Sequence, residues 1–301
     1  MRSSFDDPSI HPRLSFASQA FGLRWGSDHR LRQFASTTNS APFDVVVVRD
    51  TLLRERFGGR PVNNGEVYAD GARFRFGNVV FDTFGESRVR WWSPEPIDEM
   101  PAAFYGTVAA IILAWRRLVP LHGSAVALGD RAVMIAGAAG AGKSTLCAAL
   151  IRRGGRLVSD DLTVLMPTGE GARPMLQPGR PTIRLASGGS NGNSEKSLHD
   201  ALMVDPQKSI NLAALVVLRE NPVGAGAAEA SAALWRQLFR PVWMRALPYR
   251  RERAATVFQA AQGIRILTAP RAEDRPDLSA DQKAGLVLER LREESVMELS
   301  R

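Results

Sequence analysis

Apolar residues in the first third of the chain recur with the spacing of strands. Residues 43–48 form a short apolar run suited to a buried strand. Further on, Arg73-Phe74-Arg75-Phe76 and Val79-Val80-Phe81 flank Gly77-Asn78, and a glycine at that turn predicts a hairpin. Residues 1–95 therefore read as β-rich. The pattern changes after the proline-bearing break Ser93-Pro94-Glu95-Pro96. Beyond it Phe104, Val108, Ile111, Ile112, Trp115 and Leu118 recur at helical spacing, on one side of a predicted helix. The break is the expected boundary between a β-rich N-terminal region, 1–95, and a second domain, 96–301.

Strand spacing returns at 124–128 and 132–136, joined by Gly129-Asp130, whose glycine suits the positive φ of a two-residue turn. This hairpin feeds a glycine-rich stretch. A short helix is expected at 145–153, closed by Gly154-Gly155, and then a buried strand, Leu157-Val158, ending at Asp160. Strand, loop, helix and strand in this order indicate an α/β fold with a mixed, α+β-type sheet. Further along, Pro178-Gly179-Arg180-Pro181 reads as a turn, 188–194 as a polar glycine-rich loop, 212–218 as a strong strand and 224–228 as flexible. Helices are expected near 230–239 and 252–262, a strand at 264–267, and a last helix opened by the capping-box pair Ser279 and Gln282. No internal repeat is evident.

Composition narrows the setting. The chain has 301 residues, 45% hydrophobic and 23% charged, enough to bury a sizeable core. Cys147 is the single cysteine and sits in an apolar stretch, so a disulfide framework is excluded and a reducing, cytoplasmic compartment is expected. The first residues carry acids and a proline where a signal peptide needs an apolar core. The longest apolar run, 104–115, falls well short of the roughly 20 residues that a membrane span requires and reads as a buried helix. No membrane association is expected. The net charge is +8, but the cations are almost all arginines scattered singly or in pairs, which argues against nucleic acid as the main partner. A bias of composition explains the charge equally well, and attraction to an acidic peptide, a phosphate-rich ligand or an acidic partner stays open. Homo-oligomerisation is left open.

The chemistry concentrates at Gly137-Ala138-Ala139-Gly140-Ala141-Gly142-Lys143-Ser144, which satisfies G-x-x-x-x-G-K-[ST] and lies between a predicted strand and a predicted helix that Thr145 continues. Small residues let the backbone curl so that successive N–H groups meet phosphate oxygens, and the helix start adds its dipole. In this reading Lys143 reaches the β- and γ-phosphates of ATP and Ser144 ligates Mg²⁺. Lys143 is also the only lysine before Lys196 in a chain that otherwise relies on arginine, so an ammonium is specifically used there. The competing reading is a tight turn with no ligand.

Two adjacent carboxylates, Asp160 and Asp161, end the following strand, where such proteins place a metal-holding acid. If both approach the phosphates, one can hold Mg²⁺ while the other takes the proton of the attacking hydroxyl. The alternative is that one of them merely caps the next element. His122, in Leu121-His122-Gly123-Ser124, begins the hairpin strand and could tune a neighbouring carboxylate or be structural. His11, His29 and His199 stand apart from any such grouping and read as surface residues. No Cys, His and acid cluster has the spacing of a zinc cage.

The run from His122 through the loop to Leu165 resembles the catalytic core of the HPr kinase/phosphorylase family and its relatives. The order is shared: histidine-glycine, hairpin, phosphate loop, one short helix, then Arg156-Leu157-Val158 and two aspartates. The resemblance implies a P-loop core of the phosphoenolpyruvate carboxykinase type. It makes His122 the partner of a catalytic base, Asp160, with Lys143 and Ser144 as phosphate and Mg²⁺ contacts and Asp161 as a metal-associated acid. The segment is more similar still to HPr-kinase-related proteins of bacterial peptide modification, which implies a serine-containing peptide or protein as acceptor. A nucleotide-binding regulatory or assembly NTPase and a small-molecule hydroxyl kinase are the other readings.

Overall fold

In the computed structural model, residues 14–169, 171–186, 196–219, 226–294 and 296 are described. The expected loop at 188–194 lies outside them. Strands β1 (Phe16–Ala20), β2 (Leu23–Ser27), β3 (Ala35–Ser36), β4 (Val45–Arg49), β5 (Arg60–Val62), β6 (Gly65–Tyr68), β7 (Gly71–Phe76), β8 (Val79–Phe84) and β9 (Arg88–Trp92) form one sheet. Their order is β3-β1-β2-β4-β9-β8-β7-β6-β5. The hairpin at Gly77-Asn78 forms as the sequence predicts, with Phe76 opposite Val79.

After the proline-bearing break the chain enters one π-helical turn, Phe104–Val108, that runs directly into α1 (Ala109–Trp115). The apolar run is a buried helix, as expected, but its burial is not confined to one side, and Leu118 lies beyond it. One side meets the nine-stranded sheet through an aromatic cluster. Phe104 packs edge-on against Trp25 at 6.1 Å and against Tyr105 at 5.3 Å, and Phe34 lies 5.0 Å from Trp25. The apolar core thus continues across the break at Pro94 and Pro96, because the helix that follows is the surface on which the first sheet packs.

The second sheet contains β10 (Val119–His122), β11 (Ser124–Leu128), β12 (Arg131–Ala136), β13 (Arg156–Ser159), β14 (Leu162–Met166), β15 (Met175–Gln177) and β18 (Ile210–Leu218). Strands β16 (Thr182–Ala186) and β17 (Lys196–Asp200) pair separately, and β19 (Arg265–Ala269) runs parallel to β18. The order β10-β14-β15-β18-β12-β11-β13 mixes parallel and antiparallel neighbours. Strand β12 alternates Ala132, Met134 and Ala136 toward one apolar cluster with Val133 and Ile135 toward another. Both faces of the sheet are therefore covered. Helices α2 (Lys143–Arg152) and α6 (Ala280–Glu293) contribute to the second cluster, while α3 (Ala227–Arg236), α4 (Pro241–Ala246) and α5 (Arg250–Gly263) contribute to the first.

Three sequence expectations change. Ala227 and Ala228, expected to be flexible, open α3. Helix α4 was not expected; Pro241 at its start is a position where a missing N–H costs nothing. His29 is half-buried, with its ring 5.5 Å from Trp91, whereas His199 is exposed as expected. His11 lies outside the described residues. Among the described residues no helix is long and apolar enough to cross a membrane.

Candidate active site

The connection β12-α2-β13 crosses over β11, so β12 and β13 run parallel and end at the same edge. That edge is where the residues singled out above converge. The ordered path of the second sheet begins with β10 and ends with β13, yet these outer strands are linked to inner ones by very short connections. Gly123 joins β10 to β11, and Asp160-Asp161 joins β13 to β14. The sheet must therefore curl until the two connections lie side by side. Thr163 Oγ1 donates to the Gly123 carbonyl at 3.0 Å, and the Ser159 and Thr163 hydroxyls are 2.8 Å apart. Residue 123 has to be glycine, since a Cβ there would meet the Ile135 carbonyl oxygen at 2.9 Å.

From β12 the chain enters the loop with Gly137, Gly140 and Gly142 at φ of +152°, +82° and +97°. Gly142 is the N-cap of α2, and no side chain caps the helix. The first-turn N–H groups are thus available to an anion, as the curl of the loop requires. Lys143 is buried and folds back, its Nζ donating to the carbonyls of Gly137 at 3.0 Å and Ala138 at 2.9 Å. Beside the loop an apolar cavity of about 260 Å³ is bounded by Thr145, Leu146, Leu218, Pro270, Pro276 and Leu278. Lys283 Nζ donates to the Arg271 carbonyl at 3.0 Å and steadies the segment that walls this cavity.

Asp160 is 1% exposed and its oxygens are engaged. Oδ1 accepts from Ser124 Oγ at 2.6 Å and from Ser144 Oγ at 2.9 Å, and Oδ2 accepts from the Arg184 backbone N–H at 2.8 Å. Asp161 lies in the left-handed region at φ +68°, which aspartate tolerates better than most residues. Its side chain, 28% exposed, faces the other way, with His122 Nδ1 3.4 Å from Oδ1 and Arg180 Nη2 donating to Oδ2 at 3.5 Å. His122 Nδ1 is also 3.2 Å from the Asp161 carbonyl. Both neighbours are acceptors, so Nδ1 carries the proton. Burial alone would raise the Asp161 carboxyl, but the His122 hydrogen bond and the Arg180 guanidinium outweigh it and hold the pKa at about 2.

No protein-family profile matches this sequence, and no curated protein does. Among solved structures the chain is similar to the Hpr(Ser) kinase/phosphatase from Coxiella burnetii, with 16% identity over 58% of this chain and 98% of that one and a TM-score of 0.32. So loose a likeness assigns no chemistry, and the residues of the site have to speak for themselves.

The structure brings together the phosphate-loop residues, Asp160, Asp161 and His122, but with contacts that differ from the sequence expectation. His122 ends β10, which pairs with β14, and does not begin the hairpin strand; the register sets His122 opposite Leu162, next to Asp161. It therefore touches Asp161 and not Asp160. The Ser144 hydroxyl, expected beside a metal-holding Asp161, bonds Asp160. Three participants escaped the sequence reading. Ser124 follows His122 by two residues, Arg184 lies on β16, and Arg180 stands in what reads as an ordinary Pro-Gly-Arg-Pro turn. Arg180 is 3% exposed and its Nη1 donates to Gln33 Oε1 at 2.7 Å, so the first sheet helps to aim it. The Phe21 N–H donates to the Pro178 carbonyl at 2.8 Å and fixes the same turn.

The fit to Mg²⁺ and a nucleoside triphosphate can be judged from these atoms. Mg²⁺ commonly takes one or two protein oxygens and completes its shell with water and phosphate. The Ser144 hydroxyl and Asp160 carboxylate, 2.9 Å apart beside an uncapped helix start, offer that donor set. Among the described residues no larger cluster of His, Cys, Asp and Glu forms a metal cage. Cys147 is buried, and burial pushes its thiol well above the ordinary value, so it supplies no nucleophile.

Proposed function

We propose that this protein is an ATP-dependent kinase that transfers the γ-phosphoryl group to a serine hydroxyl of a peptide or protein. The observation that carries the proposal is the bond between Ser144 and the buried Asp160 at the mouth of a glycine-curled, uncapped helix start. A loop that only turned the chain would have no reason to bury a carboxylate against that hydroxyl. The first-turn N–H groups of α2 and Lys143 hold the phosphates, Lys143 exchanging its two carbonyl partners for phosphate oxygens. Thr145 and the apolar cavity beside the loop receive the rest of the nucleotide. Ser144 and Asp160 hold Mg²⁺, which neutralises charge on the phosphates.

In this reading Asp161 is the residue that meets the acceptor, since Asp160 is 1% exposed and given over to Ser124, Ser144, the Arg184 N–H and the metal, whereas the Asp161 side chain is 28% exposed. With a pKa of about 2, Asp161 is ionised throughout the neutral range and is a weak base. Its role is first to orient the serine hydroxyl and only late in the transfer to accept its proton. His122 and Arg180 keep the carboxylate charged and aimed.

The test is incubation with γ-labelled ATP, Mg²⁺ and a set of serine peptides, with the label located by mass spectrometry. Asp161→Asn should keep Mg·ATP binding and lose transfer, while Asp160→Asn should weaken the dependence on Mg²⁺. Failure to bind Mg·ATP, or label appearing only as free phosphate with every acceptor, would sink the kinase reading, the second outcome favouring a regulatory NTPase.

A further inference from the structure

Resting on the kinase reading, we infer that the acceptor is an acidic peptide with an apolar side chain near its serine, and that it binds in a groove whose outer wall is the N-terminal sheet. The groove encloses about 280 Å³ and opens onto Asp161, the carboxylate left free to meet a hydroxyl. Phe74 and Phe76 of β7 form one wall and Phe239 and Trp243 face them. Trp243 packs edge-on against Phe74 at 5.8 Å, which fixes the depth of the groove where the two halves of the protein meet.

The segment carrying Phe239 is itself tied to the catalytic edge. The Phe239 N–H donates to the Pro120 carbonyl at 3.0 Å, the His122 N–H donates to the Gln237 carbonyl at 2.6 Å, and the His122 ring lies 6.2 Å from the Phe239 ring. Binding in the groove and the setting of His122 are thus parts of one constructed unit.

Charge selects the occupant. Arg184 and Arg240 line the same groove, and among the described residues neither forms an ion pair. Arg184 Nε is buried without a hydrogen-bond partner. Asp161, the acid in the groove, is already balanced by Arg180 and His122. The backbone N–H of Arg184 holds Asp160, and its side chain lines the groove with Asp161. Arg240, exposed at the start of α4, is left for the acceptor. An excess of guanidinium over carboxylate recruits an anionic partner and disfavours a basic one. The aromatic wall continues outward to Phe76, 48% exposed, and Val242 beside Arg240 is 47% exposed. A single small metabolite would leave these side chains wet, whereas an extended peptide covers them.

The experiment compares two fluorescein-labelled pools of nine-residue peptides by anisotropy in the presence of Mg²⁺ and a non-hydrolysable ATP analogue. Both pools carry a central serine flanked by a leucine; the remaining positions are Asp and Glu in one and Lys in the other. The acidic pool should bind at least about tenfold more tightly, a difference of one well-placed charge pair. Arg240→Glu should abolish that preference and Phe76→Ser should weaken binding of the acidic pool about threefold or more, each with unchanged affinity for Mg·ATP. Both residues are exposed, so neither variant threatens the fold. Equal binding of the two pools, binding of neither, or an Arg240→Glu variant that still prefers the acidic pool overturns the groove assignment. The kinase reading is judged on a different readout. If the acidic pool binds as stated but the wild type transfers no label to it, the kinase reading falls and the peptide groove stands.

Discussion

Replacing Arg180 by methionine asks whether the acidic pair is held by charge or by packing. Arg180 is 3% exposed, and methionine is a flexible, uncharged side chain able to fill most of the vacated space. The change therefore removes mainly the cation and its bonds to Gln33 Oε1, the Asp160 carbonyl and the Asp161 carboxylate, of which the last two keep the Leu162 N–H and His122 as neighbours. Breaking one side of a buried ion pair costs roughly 3–5 kcal/mol. Acidity separates the part due to Asp161. Its carboxyl is depressed from an ordinary 3.8 to about 2, which at about 1.36 kcal/mol per unit is worth roughly 2–3 kcal/mol, shared among His122, Arg180 and Arg184. Because the folded value lies below the unfolded one, this stabilisation is complete above about pH 4 and is lost as the pH falls through about 2. In the variant the folded value rises, so the gap between wild type and variant should be widest near neutrality and should narrow as the pH falls from about 4 toward about 2. A residue of about 1 kcal/mol from the lost Gln33 hydrogen bond should remain. Urea unfolding followed by tryptophan fluorescence across that range measures the gap, provided the two proteins share one m-value. A destabilisation of constant size from neutral to acid pH would refute the charge argument and point to packing alone.

Lys143→Ala should reduce Mg·ATP affinity by at least about tenfold, because the ammonium that bonds the Gly137 and Ala138 carbonyls is the cation held at the phosphate loop; calorimetric titration checks it, and wild-type affinity would dismiss the loop as a phosphate site. His122→Ala removes the strongest of the interactions that lower Asp161, so the acid limb of the transfer rate should move up by about one pH unit or more with ATP affinity unchanged; a pH profile superimposable on wild type would assign the histidine a structural role. Ser279→Ala removes the hydroxyl that accepts from the Gln282 N–H, leaving the backbone half of the capping box at the start of α6, and should cost about 1 kcal/mol in chemical denaturation without altering nucleotide binding.

Features governed by a few neighbouring residues were legible from the chain alone. The turns at Gly77-Asn78 and Gly129-Asp130, the capping box of Ser279 and Gln282, and the glycine-curled loop before Lys143 all form where their spacing predicts them. Each depends on local φ preferences and hydrogen bonds within one turn, which are properties of the residues themselves. The mixed α/β architecture follows from the same local periodicities. Other features had no local signature. The run 104–115 reads as a buried helix, but what buries it is a nine-stranded sheet supplied by residues before it, which the apolar run itself does not specify.

The catalytic edge shows the same division more sharply. Sequence spacing was enough to bring Asp160, Asp161, His122, Lys143 and Ser144 into consideration, because phosphate chemistry needs those groups close to a curled loop. It could not say which aspartate His122 would touch. That depends on β10 pairing with β14 rather than with β11, a contact between residues 40 positions apart, and on Asp161 adopting a left-handed backbone that turns its carboxylate away from Asp160. Nor could spacing reveal Arg180 as the counter-ion, since its place is set by Gln33, 147 residues away. Burial of a charge is tolerated only where distant segments deliver its partners together, and that requirement is met by the packed chain as a whole and by no segment of it.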